Sequence, residues 1–323
     1  MLGLIRTSEN SYVNNFTQGS DVMPRSIYFH EILNYDPTIN STHVLPINKQ
    51  TSDHAYLLKD SKKFSDFRIE SCDVETATVF PVMISNALLP FHITNPPLAI
   101  LPIEKHQGIW RNIPITSLVT MSAGFQRWVN RASAMYGQGS NITTLWRWLD
   151  TRSKLSNQSI PQSGYIVCSG TGGEYVCAHY LRDDQVDYNR LIIDQTVNYY
   201  HTNNENEAKY LVGLLNSPSI SNAIRGFQSE GNFGARHIHS LPYRIIESFD
   251  ETNPLHMAIV NSTSNLMAEL DNFFNNSTDP KVLRLHNPNE SSIAFKRKKI
   301  RGIIQSLNAY IGYFESCEAV LND

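Results

Sequence analysis

The amino-acid sequence predicts an α/β fold, in which a mixed-sheet domain with peripheral helices is followed by a C-terminal antiparallel helical pair. The chain of 323 residues is 41% hydrophobic and 18% charged, a mix that can bury a core. Short apolar runs bounded by Pro and Gly alternate with helically spaced segments up to about residue 250, and long helical stretches follow. We therefore expect one domain over 1–250 and a helical tail over 251–323 that packs on this domain or on a partner.

Short apolar runs predict the strands of the sheet. A Pro lies in or beside the first two runs, which suits strands that are buried or at an edge. The segment Gly170-Thr171-Gly172-Gly173 joins two later runs, and it favours a hairpin turn over a phosphate cradle because it lacks the Lys and the helix start of a P-loop. The predicted strands are 22–33, 97–103, 165–169, 175–181 and 191–200.

Helical spacing of apolar residues predicts the remaining elements. The clearest pattern covers 116–136, and Gly137 ends it. Asp73 is placed to cap a helix that continues to Leu88, although Pro81 inside this helix requires a kink or a later start. A polar loop joins the two long stretches of the tail as an antiparallel pair. The predicted helices are 73–88, 116–136, 143–149, 205–215, 219–227, 255–274 and 291–321.

Composition argues against several classes of protein. The formal net charge of −3 argues against a uniformly basic nucleic-acid binder, although local patches are what contact phosphates. No cysteine belongs to a CxxC pair, which favours reduced buried thiols over a zinc site or a disulfide framework. We find no secretory segment and no apolar run of about 18 residues, so we expect a cytoplasmic protein that does not enter a membrane. The cysteines are Cys72, Cys168, Cys177 and Cys317.

Two basic zones interrupt the acidic average. In residues 111–154 the cations outnumber a single acid, Asp150, and aromatic residues are interleaved with them. Arg127 and Arg131 are spaced to share one helix face. Each zone is either a solvated helix face or a surface that contacts DNA phosphates, and the sequence leaves both interpretations open. The cations are Arg111, Arg127, Arg131, Arg147, Arg152 and Lys154 in the first zone, and Lys296, Arg297, Lys298, Lys299 and Arg301 in the second.

Two short motifs are candidates for a catalytic site and for a metal site. Amino-group methyltransferases hold the amine of a flipped base with an Asn/Asp-Pro-Pro-aromatic tetrad, whose ring stacks on the base. In Asn95-Pro96-Pro97-Leu98 the leucine cannot stack in this way, so we interpret the motif as a strand start, with a decayed methyltransferase site as the alternative. His237-Ile238-His239 lacks a nearby acid or thiol pair, so we expect no metal there.

Segments along most of the chain, taken in order, resemble a known family. The strongest run begins at Ile193-Asp194 and ends at Leu241-Pro242. Together the segments resemble the target-recognition region, of the TaqI-like specificity type, of bacterial adenine (N-6) DNA methyltransferases from restriction-modification and related defence systems. The matching segments are 19–25, 74–75, 88–91, 99–102, 152–158, 168–171, 193–200, 207–218, 227–234, 236–239 and 241–242.

The resemblance implies that this chain recognises DNA and does not itself transfer a methyl group. In that family an AdoMet-dependent catalytic domain precedes the recognition region, and its glycine-rich cofactor loop and its tetrad are missing here. The resemblance thus implies that 1–250 is a target-recognition domain for double-stranded DNA, that no cofactor binds this chain, and that AdoMet binds a partner methyltransferase subunit or domain. The DNA contacts that we expect are Arg127, Arg131, Arg152, Lys154, Gln228, Arg236, His237, Lys296 and Lys298.

A protein-interaction role is the second hypothesis. The apolar stripe of 291–321 would then be the docking face of a scaffold subunit in a defence complex. Under this hypothesis, removal of the tail abolishes complex formation and leaves the DNA affinity unchanged.

For Arg236, a structural ion pair is as compatible with the sequence as a DNA contact.

Overall fold

The computed structural model describes residues 11–33, 35–52, 54–58, 64, 67–172, 175–225, 241–286 and 293–321. In this part of the chain, helices and small sheets pack around two hydrophobic clusters. The mixed α/β fold class and the helical C-terminal region are confirmed. None of the helices in the described residues combines the length and the apolar character that a membrane crossing needs.

The strands form several small sheets. The largest has the order β1-β14-β11-β12 and is antiparallel, and its hairpin β11–β12 confirms the predicted one. A second sheet, β13-β5-β8, pairs β13 parallel to β5, while β2-β3-β4 is antiparallel. β6–β7 and β9–β10 are two-stranded. The strands are β1 (Thr17–Gln18), β2 (Glu31–Leu33), β3 (Ser41–Leu45), β4 (Cys72–Glu75), β5 (Val79–Met83), β6 (Leu88–Leu89), β7 (His92–Ile93), β8 (Leu98–Ile100), β9 (Ile103–His106), β10 (Ile109–Asn112), β11 (Tyr165–Gly172), β12 (Tyr175–Arg182), β13 (Ile192–Ile193) and β14 (Asn198–Thr202).

The helices surround the sheets and form most of the C-terminal part. α3 packs on β4 and on α4, whereas α5 packs on β12 and on α8. The predicted helices at 143–149, 205–215 and 255–274 are present with shifted ends, and the one at 219–227 is present as far as residue 225, after which the described residues stop. The helices are α1 (Arg25–Tyr28), α2 (Ile115–Leu118), α3 (Ala123–Ala134), α4 (Ile142–Leu149), α5 (Glu205–Asn216), α6 (Pro218–Arg225), α7 (Leu241–Arg244), α8 (Pro254–Asn276), α9 (Pro280–Leu283), α10 (Ile293–Ser306) and α11 (Tyr310–Leu321).

The tail helices share one hydrophobic cluster with the main sheet. This cluster joins side chains of β11, β12 and α5 to side chains of α8, α10 and α11. The Glu269 carboxylate of α8 accepts the backbone N–H of Ala309 at 2.8 Å, and the Tyr313 hydroxyl donates to the Gly213 carbonyl of α5 at 2.7 Å. Gly213 in turn packs against α8, where a Cβ on it would lie 2.9 Å from Ile259. The start of α11 therefore meets Glu269, and the following turn of α11 lies near an earlier part of α8, so the two helices are antiparallel. The predicted domain boundary at residue 250 stays a prediction, because side chains from both sides of it pack in the same hydrophobic cluster.

Four predicted elements differ from the structure. The predicted helix over 73–88 is replaced by β4 and β5. Every residue of β5 is apolar and buried, so this strand has no polar face. The predicted strand over 22–33 contains the one-turn helix α1 before β2, and the helix over 291–321 is interrupted between α10 and α11. The helix over 116–136 is likewise divided into α2 and α3, since Ser122 caps a new helix there.

Candidate nucleic-acid interface

Helix α3 presents Arg127 and Arg131 to solvent. The rotation of the helix is set by Trp128, which is completely buried and whose indole N–H donates to the Ile27 carbonyl at 3.0 Å. The Arg127 guanidinium lies near the Cys72 thiol of β4: burial raises the pKa of that thiol, and the guanidinium opposes the rise. The core therefore fixes the direction in which the two arginines point.

The start of α3 is tightly attached to β4. The Glu75 carboxylate accepts both the backbone N–H and the hydroxyl of Ser122, the latter at 3.0 Å. A Cβ on Gly124 would overlap the carbonyl oxygen of Asp73, so only glycine permits this approach. The helix that carries the arginines thus has little freedom to shift relative to the sheet.

Arg152 lies at the tip of a strained turn after α4. Both Arg152 and Ser153 have a φ of 58°, a left-handed conformation that costs roughly 1–2 kcal/mol per residue without glycine. The Asp150 carboxylate holds the turn, since it accepts the backbone N–H of Leu155 at 3.0 Å and that of Ser156 at 2.8 Å. Arg152 itself is exposed. A fixed backbone therefore directs a free guanidinium outwards.

Lys154 anchors this turn to the rest of the protein. Its ammonium nitrogen lies 3.0 Å from the side-chain oxygen of Gln18 and 3.7 Å from the carboxylate of Asp21. Because the ammonium already has these partners and the side chain is only 21% exposed, the structure assigns Lys154 a positioning role. The expected DNA contact of Lys154 stays a prediction.

The ends of α3 and α4 meet through stacked aromatic rings. The rings of Tyr136 and Trp148 lie 5.5 Å apart at an angle of 28°, and Trp148 is 53% exposed. Arg131 lies near the end of α3 and Arg152 lies just beyond the end of α4. An exposed tryptophan and two exposed arginines therefore lie at or near the ends of α3 and α4, which is a combination suited to phosphate and sugar contacts.

Two of the five cations in the second basic zone are buried. Lys296 is only 4% exposed and Arg297 is 1% exposed. The Arg297 guanidinium donates to the Ser85 carbonyl at 2.8 Å and to the Leu88 carbonyl at 3.1 Å. The expectation that Lys296 contacts DNA is therefore wrong, because the side chain is buried where α10 meets β6. Lys298 is exposed, on a helix that packs on β6 and α11.

Three expected contacts, Gln228, Arg236 and His237, lie outside the described residues, as does His239 of the same motif. In the part that is described, no group of three or more His, Cys, Asp and Glu side chains has the arrangement of a metal site. The four cysteines are buried and form no disulfide. The structure therefore places Arg127, Arg131 and Arg152 at the surface, and the DNA contacts of all the expected residues stay predictions.

The segment Asn95–Leu98 serves the sheet. The Pro97 carbonyl accepts the backbone N–H of Val82 at 2.9 Å, and Leu98 lies opposite Pro81 in the β5–β8 ladder. The motif thus begins a strand, as the sequence favoured. Gln158, from a segment that carries the family resemblance, is also structural, since its side chain accepts the N–H of Ile193 and donates to the carbonyl of the same residue.

The sequence analysis missed the role of Asp150. It identified this residue only as the single acid of a basic zone, whereas the carboxylate caps the turn that presents Arg152. A signal was present, because Asp side chains commonly bind backbone N–H groups a few residues further along the chain. The left-handed conformation of Arg152 had no such signal.

Comparisons with known proteins give a distant structural likeness. No protein-family model matches the chain, and no curated protein matches it. Among solved structures, the chain is similar to the Type IIL restriction-modification enzyme MmeI in complex with DNA, with a TM-score of 0.39 and 13% sequence identity. The match covers 76% of this chain and 31% of that chain, so this chain spans less than a third of the length of the enzyme. A likeness at this level identifies neither a family nor an activity.

Proposed function

We propose that this chain is the DNA-recognition module of an AdoMet-dependent adenine DNA methyltransferase of a cytoplasmic restriction-modification or defence system. Methyl transfer is carried out by a separate catalytic subunit or domain. The ordered sequence resemblance supports this proposal. The structural observation that carries it is the Arg152 turn, where a strained and hydrogen-bonded backbone presents an exposed arginine.

Backbone strain of this kind persists only where the surroundings impose it. Left-handed residues other than glycine cluster at binding and catalytic sites, so the outlier itself motivates a functional hypothesis. The two carboxylate hydrogen bonds of Asp150 and the link from Lys154 to Gln18 supply the restraint. These contacts fix the backbone at which the Arg152 side chain begins, and the oxygens of a phosphate match the planar donors of its guanidinium.

The other exposed groups extend the surface. Arg127 and Arg131 project from α3, which the core holds in register, and Trp148 offers an aromatic face between the helix ends. In our proposal these cations fix the register of the module on the DNA backbone, while polar side chains on loops read base edges. The negative net charge is compatible with this arrangement, because the phosphates respond to the charges nearest to them and not to the average over the whole chain.

The chemistry belongs to the partner in this proposal. Asn95–Leu98 is built into a sheet through the Pro97 carbonyl, which favours a structural use of the only tetrad-like segment in the sequence. We expect no heat of AdoMet binding when this chain alone is titrated in a calorimeter. Saturable binding of AdoMet would instead favour the decayed-methyltransferase alternative.

The DNA-binding proposal is tested by a salt series. Fluorescence anisotropy of a labelled random-sequence duplex of about 30 base pairs gives the affinity of the wild type, Arg152→Ala and Arg182→Ala across increasing salt. We expect Arg152→Ala to weaken binding and to lower the log–log salt slope by about 0.9, as for one lost phosphate contact. Arg182 is also exposed but pairs with Asp184 at 3.1 Å, so its variant is the matched loss of charge. A flat salt response of the wild type, or equal losses in both variants, would contradict the proposal.

A further inference from the structure

A two-residue turn joins β9 and β10 at Gln107 and Gly108. Because His106 lies opposite Ile109, only these two residues form the loop. Their φ values are 51° and 82°, so both adopt the left-handed conformation of a type I′ hairpin turn. Asn, Asp or Gly usually occupies the first position of such a turn, and a glutamine there is strained. The long amide side chain is therefore present despite the local preference of the backbone.

The hairpin has a rigid base and a free tip. Trp110 is 2% exposed and packs edge-on against Phe80 at a ring separation of 5.5 Å. The Lys105 ammonium lies 5.0 Å from the centre of the Trp110 ring. In contrast, all four residues from 106 to 109 are exposed. The core thus holds the two strands, while the side chains of the turn project into solvent.

The surroundings of the hairpin suit a duplex. Arg111 is exposed and lies opposite Glu104, so the carboxylate partly offsets the charge of this arginine. Lys105 is a second cation on the ribbon. α4 packs against β10, so the ribbon stands beside the helix that leads into the Arg152 turn. The major groove of B-form DNA is about 12 Å wide and admits a two-stranded ribbon. A two-residue hairpin on a strand that packs against α4 therefore has the dimensions for this groove.

We infer that the β9–β10 hairpin enters the major groove of the DNA and that Gln107 reads the edge of an adenine there. This inference rests on the proposed function, because it requires that the chain binds duplex DNA. The glutamine amide presents one acceptor and two donor hydrogens, and this set matches N6 and N7 of adenine in a paired contact. The strained turn fixes the point at which the Gln107 side chain leaves the backbone, so in this inference the tip selects sequence while the arginines supply affinity.

The test is selection from a pool of duplexes with a randomised central segment, followed by sequencing of the bound fraction. Wild type, Gln107→Gly and Gln50→Gly are compared. Gln107→Gly removes the amide and suits the left-handed backbone, so it is not expected to damage the hairpin. Gln50 is an exposed glutamine of another turn and provides the matched control. Thermal melting verifies that each variant is folded.

We expect Gln107→Gly to lose the preference for adenine at one or two positions, by roughly ten-fold or more, while the salt slope is unchanged. Gln50→Gly should keep the preference of the wild type. If the wild type selects a sequence and Gln107→Gly selects the same one, base reading by Gln107 is wrong and the proposed function stands. A uniform loss of affinity with an unchanged sequence preference also overturns the inference. If the wild type binds no duplex at all, the proposed function itself fails.

Discussion

The guanidinium of Arg25 lies 3.5 Å from the carboxylate of Asp194, a side chain that is completely buried. Asp194 also accepts the backbone N–H of Thr196 at 3.0 Å, and it lies beside the Gly19–Asp21 segment that anchors Lys154. Burial raises the pKa of the Asp194 carboxyl, and Arg25 opposes that rise. The ion pair therefore links Arg25 to Asp194, which lies beside the residues that bind Lys154 of the Arg152 turn.

We predict that Arg25→Ala lowers the free energy of unfolding by about 3 kcal/mol at pH 7, because a buried carboxylate loses its partner. The loss should be smaller near pH 5. The raised pKa of Asp194 means that the folded protein holds the proton more strongly than the unfolded chain, so the contribution of this group is present at low pH and falls as pH rises through the folded pKa. Urea unfolding at both pH values measures the difference. Arg182→Ala, which breaks an exposed pair, should change stability by less than about 1 kcal/mol at either pH.

The Arg152 turn predicts opposite effects on stability and on binding. Arg152→Gly relieves one left-handed residue but adds flexibility to the unfolded chain, so we expect a net gain of about 0.5–1 kcal/mol in the free energy of unfolding. The same variant should bind duplex DNA more weakly. Urea unfolding and anisotropy on one preparation measure both quantities. A variant that is less stable, or one with unchanged affinity, would argue that the strain has another cause.

Elements held by local signals were predictable from the sequence. The β11–β12 hairpin and α8 each carry apolar periodicity and turn or cap residues within their own span. The strand β5 was mistaken for a helix because a fully buried strand shows no alternation, and a short apolar run fits either period. Pro81 was the warning, since it suits a sheet position that needs no N–H better than a helix interior.

The candidate site was predictable only in part, because charge along a chain does not show which way a side chain points. Lys296 and Lys298 are two residues apart on one helix, yet the first is buried and the second is exposed. Arg152 and Lys154 share a basic zone, yet Lys154 meets Asp21, more than a hundred residues earlier in the sequence. Such pairings depend on long-range packing. The strain at Arg152 and Gln107 depends on backbone angles that no residue preference predicts.

The attachment of α3 to β4 gives a steric prediction. Gly124→Ala places a Cβ into the Asp73 carbonyl, so α3 must shift and we expect a loss of about 1–3 kcal/mol. The control is Gly302→Ala, where a helical glycine of α10 has open space around it and the change should stabilise by about 0.5–1 kcal/mol. Thermal and urea unfolding compare the two variants. Equal effects of both substitutions would mean that α3 does not approach β4 so closely.

Arg297 and Lys298 are adjacent residues with opposite expected roles. Arg297→Met keeps the length of the side chain but leaves the Ser85 and Leu88 carbonyls without this donor, so we expect a loss of about 2–4 kcal/mol. Its effect on the salt slope of DNA binding should be negligible, because the guanidinium is buried. Lys298→Met should change stability by less than about 0.5 kcal/mol, as exposed substitutions usually do. If Lys298 contacts a phosphate, its variant lowers the salt slope by about 0.9; an unchanged slope would remove α10 from the interface and leave DNA binding to the surface around Arg152.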